Sequence, residues 1–184
     1  MATRDNKDSL MRLHLCCGDI YLKDYINIDV TGRKPTKCNH RATTIEQYYR
    51  GKSVNHSKKP VVDIAGSISD LDFPKGSIDE IVMISAFEHF TEQEALQLVK
   101  SFYRMLKKGG QFKFDFPDIK KTALEYDDHY MIRLVYGSYK NEYARHKWGY
   151  TKNTIKRLFD KWHSLDFKDI VAHDYPMIGV ISTK

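Results

Sequence analysis

The sequence has no long apolar run. None approaches the roughly 18–20 residues that a helical membrane span needs, so no membrane partner is expected. Residues 1–10 are polar and mixed in charge, lack the apolar stretch of a secretory leader, and read as a flexible tail. Cysteine is scarce: Cys16 and Cys17 are adjacent, Cys38 stands alone, and these are all three in 184 residues. An odd count without a leader excludes a disulfide framework and points to a reducing, cytoplasmic compartment. No CxxC or HxxxH spacing groups Cys38, His40 and His56, so no metal is expected. Internal repeats and low-complexity stretches are absent as well.

What is present fits one globular domain. The chain is 41% apolar and 29% charged, and 184 residues suit a single core. The net charge of +6 is scattered over small groups such as Lys34, Lys37 and Arg41, Lys107-Lys108 and Lys120-Lys121. Scattered charge reads as solvated surface and does not indicate a nucleic-acid groove.

Strand-like runs alternate with helix-periodic segments, the mark of an α/β domain around a mostly parallel sheet. Strands are expected at 12–15, 25–29, 61–64, 78–84, 111–116, 167–173 and 177–182. Thr91-Glu92-Gln93-Glu94 is a capping box. Ala95, Leu98, Val99, Phe102 and Leu106 then repeat at helical spacing. Lys107-Lys108-Gly109-Gly110 is expected to end that helix. A second helix is expected over 151–162, burying Ile155, Leu158, Phe159 and Trp162. The segment 31–60 reads as a long basic insert with a short helix near 43–50. The segment 119–150 reads as a helix with an aromatic-rich lid, in which Tyr136, Tyr139, Tyr143 and Trp148 surround His146.

Chemistry concentrates after the first strand. Leu13-His14-Leu15-Cys16-Cys17-Gly18 ends in small residues, which let a ligand approach backbone N–H groups. Asp29 ends the next strand, where a carboxylate can hold two ribose hydroxyls. Alone, this pattern is equally that of a tight structural turn. A nicotinamide enzyme would show GxGxxG here, and that motif is absent.

The segments taken together are more specific. Leu13-His14-Leu15-Cys16-Cys17-Gly18 with Asn27-Ile28-Asp29 resembles the opening of class I methyltransferases of the type 11 family. Phe87-Glu88-His89, Arg104-Met105-Leu106-Lys107-Lys108-Gly109-Gly110 and Phe116-Pro117-Asp118 resemble later motifs of that family, in the family's order. The resemblance runs from Leu13 to Asp118. It implies a Rossmann-like, doubly wound sheet of about seven strands with an antiparallel last strand, and S-adenosylmethionine as cofactor. It also implies a cofactor site of Leu15, Cys16, Cys17, Gly18, Asp29, Val30, Asp63, Ile64, Ser85, Ala86, Glu88 and His89. Asp63 and Ile64 would meet the adenine edge.

Two departures stand out. Cys16 replaces the family's usual glycine, and its Cβ is expected to demand an ordinary φ. Only eleven positions lead from Gly18 to Asp29, so an abbreviated first crossover helix is expected; parallel crossovers normally take a dozen or more residues. For the acceptor, the aromatic cluster around His146 suits a small molecule or a glycan hydroxyl. His89, His146 and Asp118 are candidate bases. A non-catalytic cofactor-binding module, and an RNA or other anionic acceptor, are the alternatives. The sequence does not define an oligomeric state.

Overall fold

The computed structural model describes residues 10–36, 42–50, 56–57, 59–138, 142–170 and 175–184. Cys38, His40, Tyr139 and His173 lie outside these residues, as does nearly all of the 1–10 segment. Among the described residues, seven strands form one sheet in the order β3-β2-β1-β4-β5-β7-β6. They are β1 (Arg12–Leu15), β2 (Ile26–Asp29), β3 (Ile64–Ala65), β4 (Ile78–Met83), β5 (Leu106–Pro117), β6 (Ser164–Ile170) and β7 (Met177–Thr183). The first five pair in parallel, and β7 runs antiparallel between β5 and β6. This is the expected doubly wound sheet with an antiparallel last strand.

One face of the sheet is strongly apolar. Leu13, Leu15, Ile81, Met83, Phe112, Phe114 and Phe116 alternate onto it and are fully buried. They meet α2 (Glu92–Met105) and α5 (Lys152–Leu158). Each such side chain contributes about 1.5–3 kcal/mol when buried. The expected capping box starts α2: the Thr91 hydroxyl accepts from Glu94 N–H at 3.2 Å, and Glu94 Oε2 accepts from Thr91 N–H at 2.7 Å. The helix stops at Met105, before Lys107-Lys108-Gly109-Gly110. Those four residues belong to β5 instead, at its register shift against β4. Gly109 there supplies the left-handed φ of 78°, and Lys107 Nζ pairs with Asp79 at 2.8 Å rather than with the helix end.

The other face is thinner and more polar. His14, Asn27 and Asp115 are fully buried, and the apolar cluster there is small: Leu22, Tyr25, Tyr48, Val82 and Ile84. The first crossover is the reason. Between β1 and β2 the described residues form turns and isolated bridges, not the abbreviated helix that was expected. A span so short must hug the strand ends. The helix α1 (Ile45–Tyr49), from the 31–60 insert, covers this face in its place. Asn27 ties the turn down: its Oδ1 accepts from Leu22 N–H at 2.8 Å, and its Nδ2 donates to the Leu22 and Tyr25 carbonyls at 3.0 Å. One buried side-chain amide thus satisfies backbone groups that a helix would satisfy internally.

The 119–150 segment contains two helices, α3 (Ile119–Glu125) and α4 (Asp128–Tyr136), followed by a 3₁₀ turn at Glu142–Ala144. Among the described residues, no helix is long and apolar enough to cross a membrane.

Candidate functional site

β1 lies between β2 and β4, where the winding of the sheet reverses. Ligands of open α/β sheets sit outside the carboxyl ends of the strands at such a point. Here the chain leaves a cleft of about 600 Å³. Cys16, Gly18, Asp29 and Val30 form one wall; Ser85, Ala86 and His89 form the facing one.

The first wall depends on a left-handed turn. Cys16 and Gly18 both have φ of 52°. Cys16 therefore does not take the ordinary φ its Cβ was expected to demand; it keeps the glycine-like turn and bears the strain, about 1–2 kcal/mol for an L-residue. Cys17 between them points into the core, its thiol 3.7 Å from the Val61 carbonyl. Gly18 N–H donates to Asp29 Oδ2 at 2.9 Å. A Cβ at Gly18 would meet no atom within 4 Å, so its peptide stands bare. The Asp29 carboxylate has no other hydrogen bond among the described residues, and Oδ1 remains available to a ligand.

The facing wall is pinned from below. Ser85, left-handed at φ 45°, donates its N–H to Asp115 Oδ1 at 2.6 Å. Asp115, on β5, is fully buried and also accepts the Tyr48 hydroxyl at 2.6 Å. Burial pushes its carboxyl up to about 6, although the Tyr48 and Ser85 bonds pull the other way. Through Tyr48 the 31–60 insert thus supports the cleft.

A 3₁₀ turn, Phe87–His89, follows. Phe87 fills the core, and His89 donates Nδ1–H to the Arg145 carbonyl at 2.9 Å. Burial lowers the pKa of His89, outweighing the backbone carbonyls that favour its charged form. Glu88 points away from the cleft, into a one-water cavity of about 10 Å³ shared with His146. Burial pushes Glu88 up to about 8 and His146 down to about 4.

The structure thus brings Cys16, Gly18, Asp29, Val30, Ser85, Ala86 and His89 together around the cleft. Leu15 and Cys17 are core side chains beneath it. Asp63 and Ile64 do not line it. Asp63 Oδ2 accepts from Asn27 N–H at 2.7 Å, and Oδ1 accepts from Tyr21 Oη at 2.8 Å, so this carboxylate braces the first crossover. Ile64 is exposed on β3. Asp118 caps α3, accepting from Lys121 N–H at 3.2 Å, and is not a cleft residue. Glu88 and His146 lie behind the wall. Sequence reasoning missed Ser67 and Ser69 at the β3 end, and the rim pair Lys147–Glu94 at 3.4 Å. It also missed Asp115, whose signal was present: one acid between Phe114 and Phe116 at the apolar end of β5.

The chain matches the family model of a methyltransferase domain over residues 16–114, more than half its length. No curated protein matches it in sequence. Among solved structures it is similar to a SAM-dependent methyltransferase from Methanosarcina mazei, at 15% identity and a TM-score of 0.55, covering 100% of this chain and 98% of that one. A SAM-dependent methyltransferase from Archaeoglobus fulgidus is similar at 12% identity and a TM-score of 0.57, covering 97% and 87%. Magnesium protoporphyrin IX methyltransferase from Synechocystis, with bound SAH, is similar at 12% identity and a TM-score of 0.54, covering 96% and 74%. At these identities the likeness is one of fold.

Proposed function

The chain belongs to the methyltransferase domain family, whose cofactor is S-adenosylmethionine, and on that premise we propose that it methylates a hydroxyl of a small-molecule or glycan acceptor. The observation that carries this reading is one cleft with the Asp29 carboxylate, one oxygen unbonded, on one wall and the His89 imidazole, its pKa lowered by burial, on the other.

The residues present fit the cofactor. Asp29 keeps one carboxylate oxygen for the ribose hydroxyls, and the bare Gly18 peptide gives room for the methionine part. Ser67 and Ser69 line the cleft and Asp63 does not, so the serines rather than Asp63 would meet the adenine end. Ser85 and Ala86 would flank the sulfonium. When bound, the cofactor supplies an electrophilic methyl group, so the protein's work is alignment and exclusion of water. A hydroxyl acceptor must lose a proton. With Nδ1–H held by the Arg145 carbonyl, His89 has its lone pair on Nε2 for that proton.

The cleft volume falls within the roughly 300–1,000 Å³ of small-molecule sites. Its lining lysine, Lys147, is paired with Glu94. That pairing leaves no unpaired lysine on the described lining for a phosphate backbone, which favours a compact acceptor over a nucleic acid.

Calorimetry with S-adenosylhomocysteine, together with labelled-methyl transfer to a metabolite panel, tests the reading. The protein is expected to bind the product cofactor. Asp29→Ala is expected to bind it about 5- to 150-fold more weakly, from lost charge-assisted hydrogen bonds. No binding by the native chain would overturn the proposal; unchanged affinity in the variant would remove Asp29 from it. Binding without any methylated product would leave a cofactor-binding module.

A further inference from the structure

Behind the His89 wall, three metal-ligand side chains converge. Glu88, His89 and His146 each place one ligating atom within 4.8 Å of the other two. The imidazole rings meet edge to face with centroids 5.0 Å apart, and His146 Nε2 lies 3.9 Å from Glu88 Oε1. Backbone carbonyls hold both rings at Nδ1: Arg145 for His89 at 2.9 Å and Leu134 for His146 at 2.7 Å. Metal-binding histidines are held in this way, with the lone pair left on Nε2.

The third group is a buried carboxyl, 3% exposed, whose Oε2 has no hydrogen bond among the described residues. A buried oxygen in that state is costly unless a proton or cation meets it. The cavity it shares with His146 is the size of one water or one ion. The arrangement is also fastened together. Lys147 and Trp148 N–H groups donate to the Glu88 carbonyl at 2.9 and 3.3 Å. Gly137 packs against His146 so closely that a Cβ there would lie 2.6 Å from the ring.

We propose that Glu88, His89 and His146 bind one divalent transition-metal ion of the zinc type behind the His89 wall of the cleft. Two imidazoles and one carboxylate with an open position are the donor set of catalytic zinc sites, and imidazole favours such ions over magnesium. Metal bonds of about 2.0–2.2 Å set tetrahedral ligand atoms about 3.3–3.6 Å apart, so the side chains close by about 1 Å on binding. Because His89 also lines the cleft, the ion would claim the Nε2 lone pair that an acceptor proton needs, so filling the site suppresses methyl transfer to a hydroxyl; this last consequence rests on the methyltransferase reading. Sequence spacing carries no sign of the site, because His146 reaches Glu88 and His89 only through the fold.

The test uses tag-free, chelator-stripped protein titrated with Co²⁺ alone, then with Zn²⁺, without cofactor or acceptor. One equivalent of Co²⁺ is expected to bind, with the visible absorption of a four- or five-coordinate ion, and Zn²⁺ is expected to displace it. His146→Ala and Glu88→Gln are expected to weaken Co²⁺ binding by at least about tenfold while still unfolding cooperatively on heating. No bound Co²⁺, or an unaltered spectrum and affinity in both variants, would overturn the site. Affinity for S-adenosylhomocysteine is measured separately. Retained cofactor binding without metal binding defeats this site alone; metal binding without cofactor binding defeats the methyltransferase reading alone.

Discussion

Replacing Asp115 by asparagine should flatten one limb of the stability–pH curve. The carboxyl is fully buried, and burial raises it from 3.8 to about 6. An unfolded chain releases this proton near 3.8, whereas the folded chain keeps it up to about 6. Over that window the folded state binds more protons, so stability falls as pH rises. About 2 pKa units at about 1.4 kcal/mol each gives about 3 kcal/mol. Asparagine has the same shape and does not titrate. Between pH 4 and 6 the native protein should therefore lose about 3 kcal/mol relative to Asp115→Asn; above pH 6 the difference should stay constant. His14 and His146, both lowered to about 4 by burial, titrate in the opposite sense. They are common to both proteins and drop out of the difference. Urea unfolding of the two proteins at half-unit steps from pH 4 to 8, with chelator present, measures it. The expected change corresponds to roughly 6–12 °C in Tm for a domain of this size. Parallel curves would show that Asp115 titrates alike in the folded and unfolded chain, and the claim that burial raises its carboxyl would fail.

Asp63→Ala should cost about 2–3 kcal/mol by leaving Asn27 N–H and the Tyr21 hydroxyl without their partner. It should change affinity for S-adenosylhomocysteine less than about threefold, and a far larger loss by calorimetry would return Asp63 to the adenine edge. Cys16→Gly should relieve about 1–2 kcal/mol of left-handed strain, offset by about 0.5–1 kcal/mol of glycine's unfolded-state entropy. Stability should then move little while cofactor affinity rises, because the Cβ leaves the cleft floor. Weaker binding in this variant would show that the thiol contacts the cofactor.

The parts of the molecule legible in the sequence are those governed by local pattern. Alternation along β5 sent Phe112, Phe114 and Phe116 to one face, and the Thr91–Glu94 box marked the start of α2. That Gly18 and Asp29 meet at one turn was readable because they lie at the ends of β1 and β2, which are neighbours. Errors arose where a side chain's partner is distant in the chain. Asp63 looks free until Asn27 and Tyr21 claim it. Asp118 differs, its partner being local: Lys121 N–H, three positions on, makes it a helix cap.

By itself, the sequence determined the α/β class, the order of the strands along the chain and the turn after β1, because period, caps and small residues act over a few positions. Only the tertiary structure decided that a short crossover would be covered by α1, that Tyr48 and Asp115 would hold Ser85, and that Glu88, His89 and His146 would face one another. Those arrangements follow from burial. Once polar groups leave water they must find partners across the fold, and sequence proximity does not specify which.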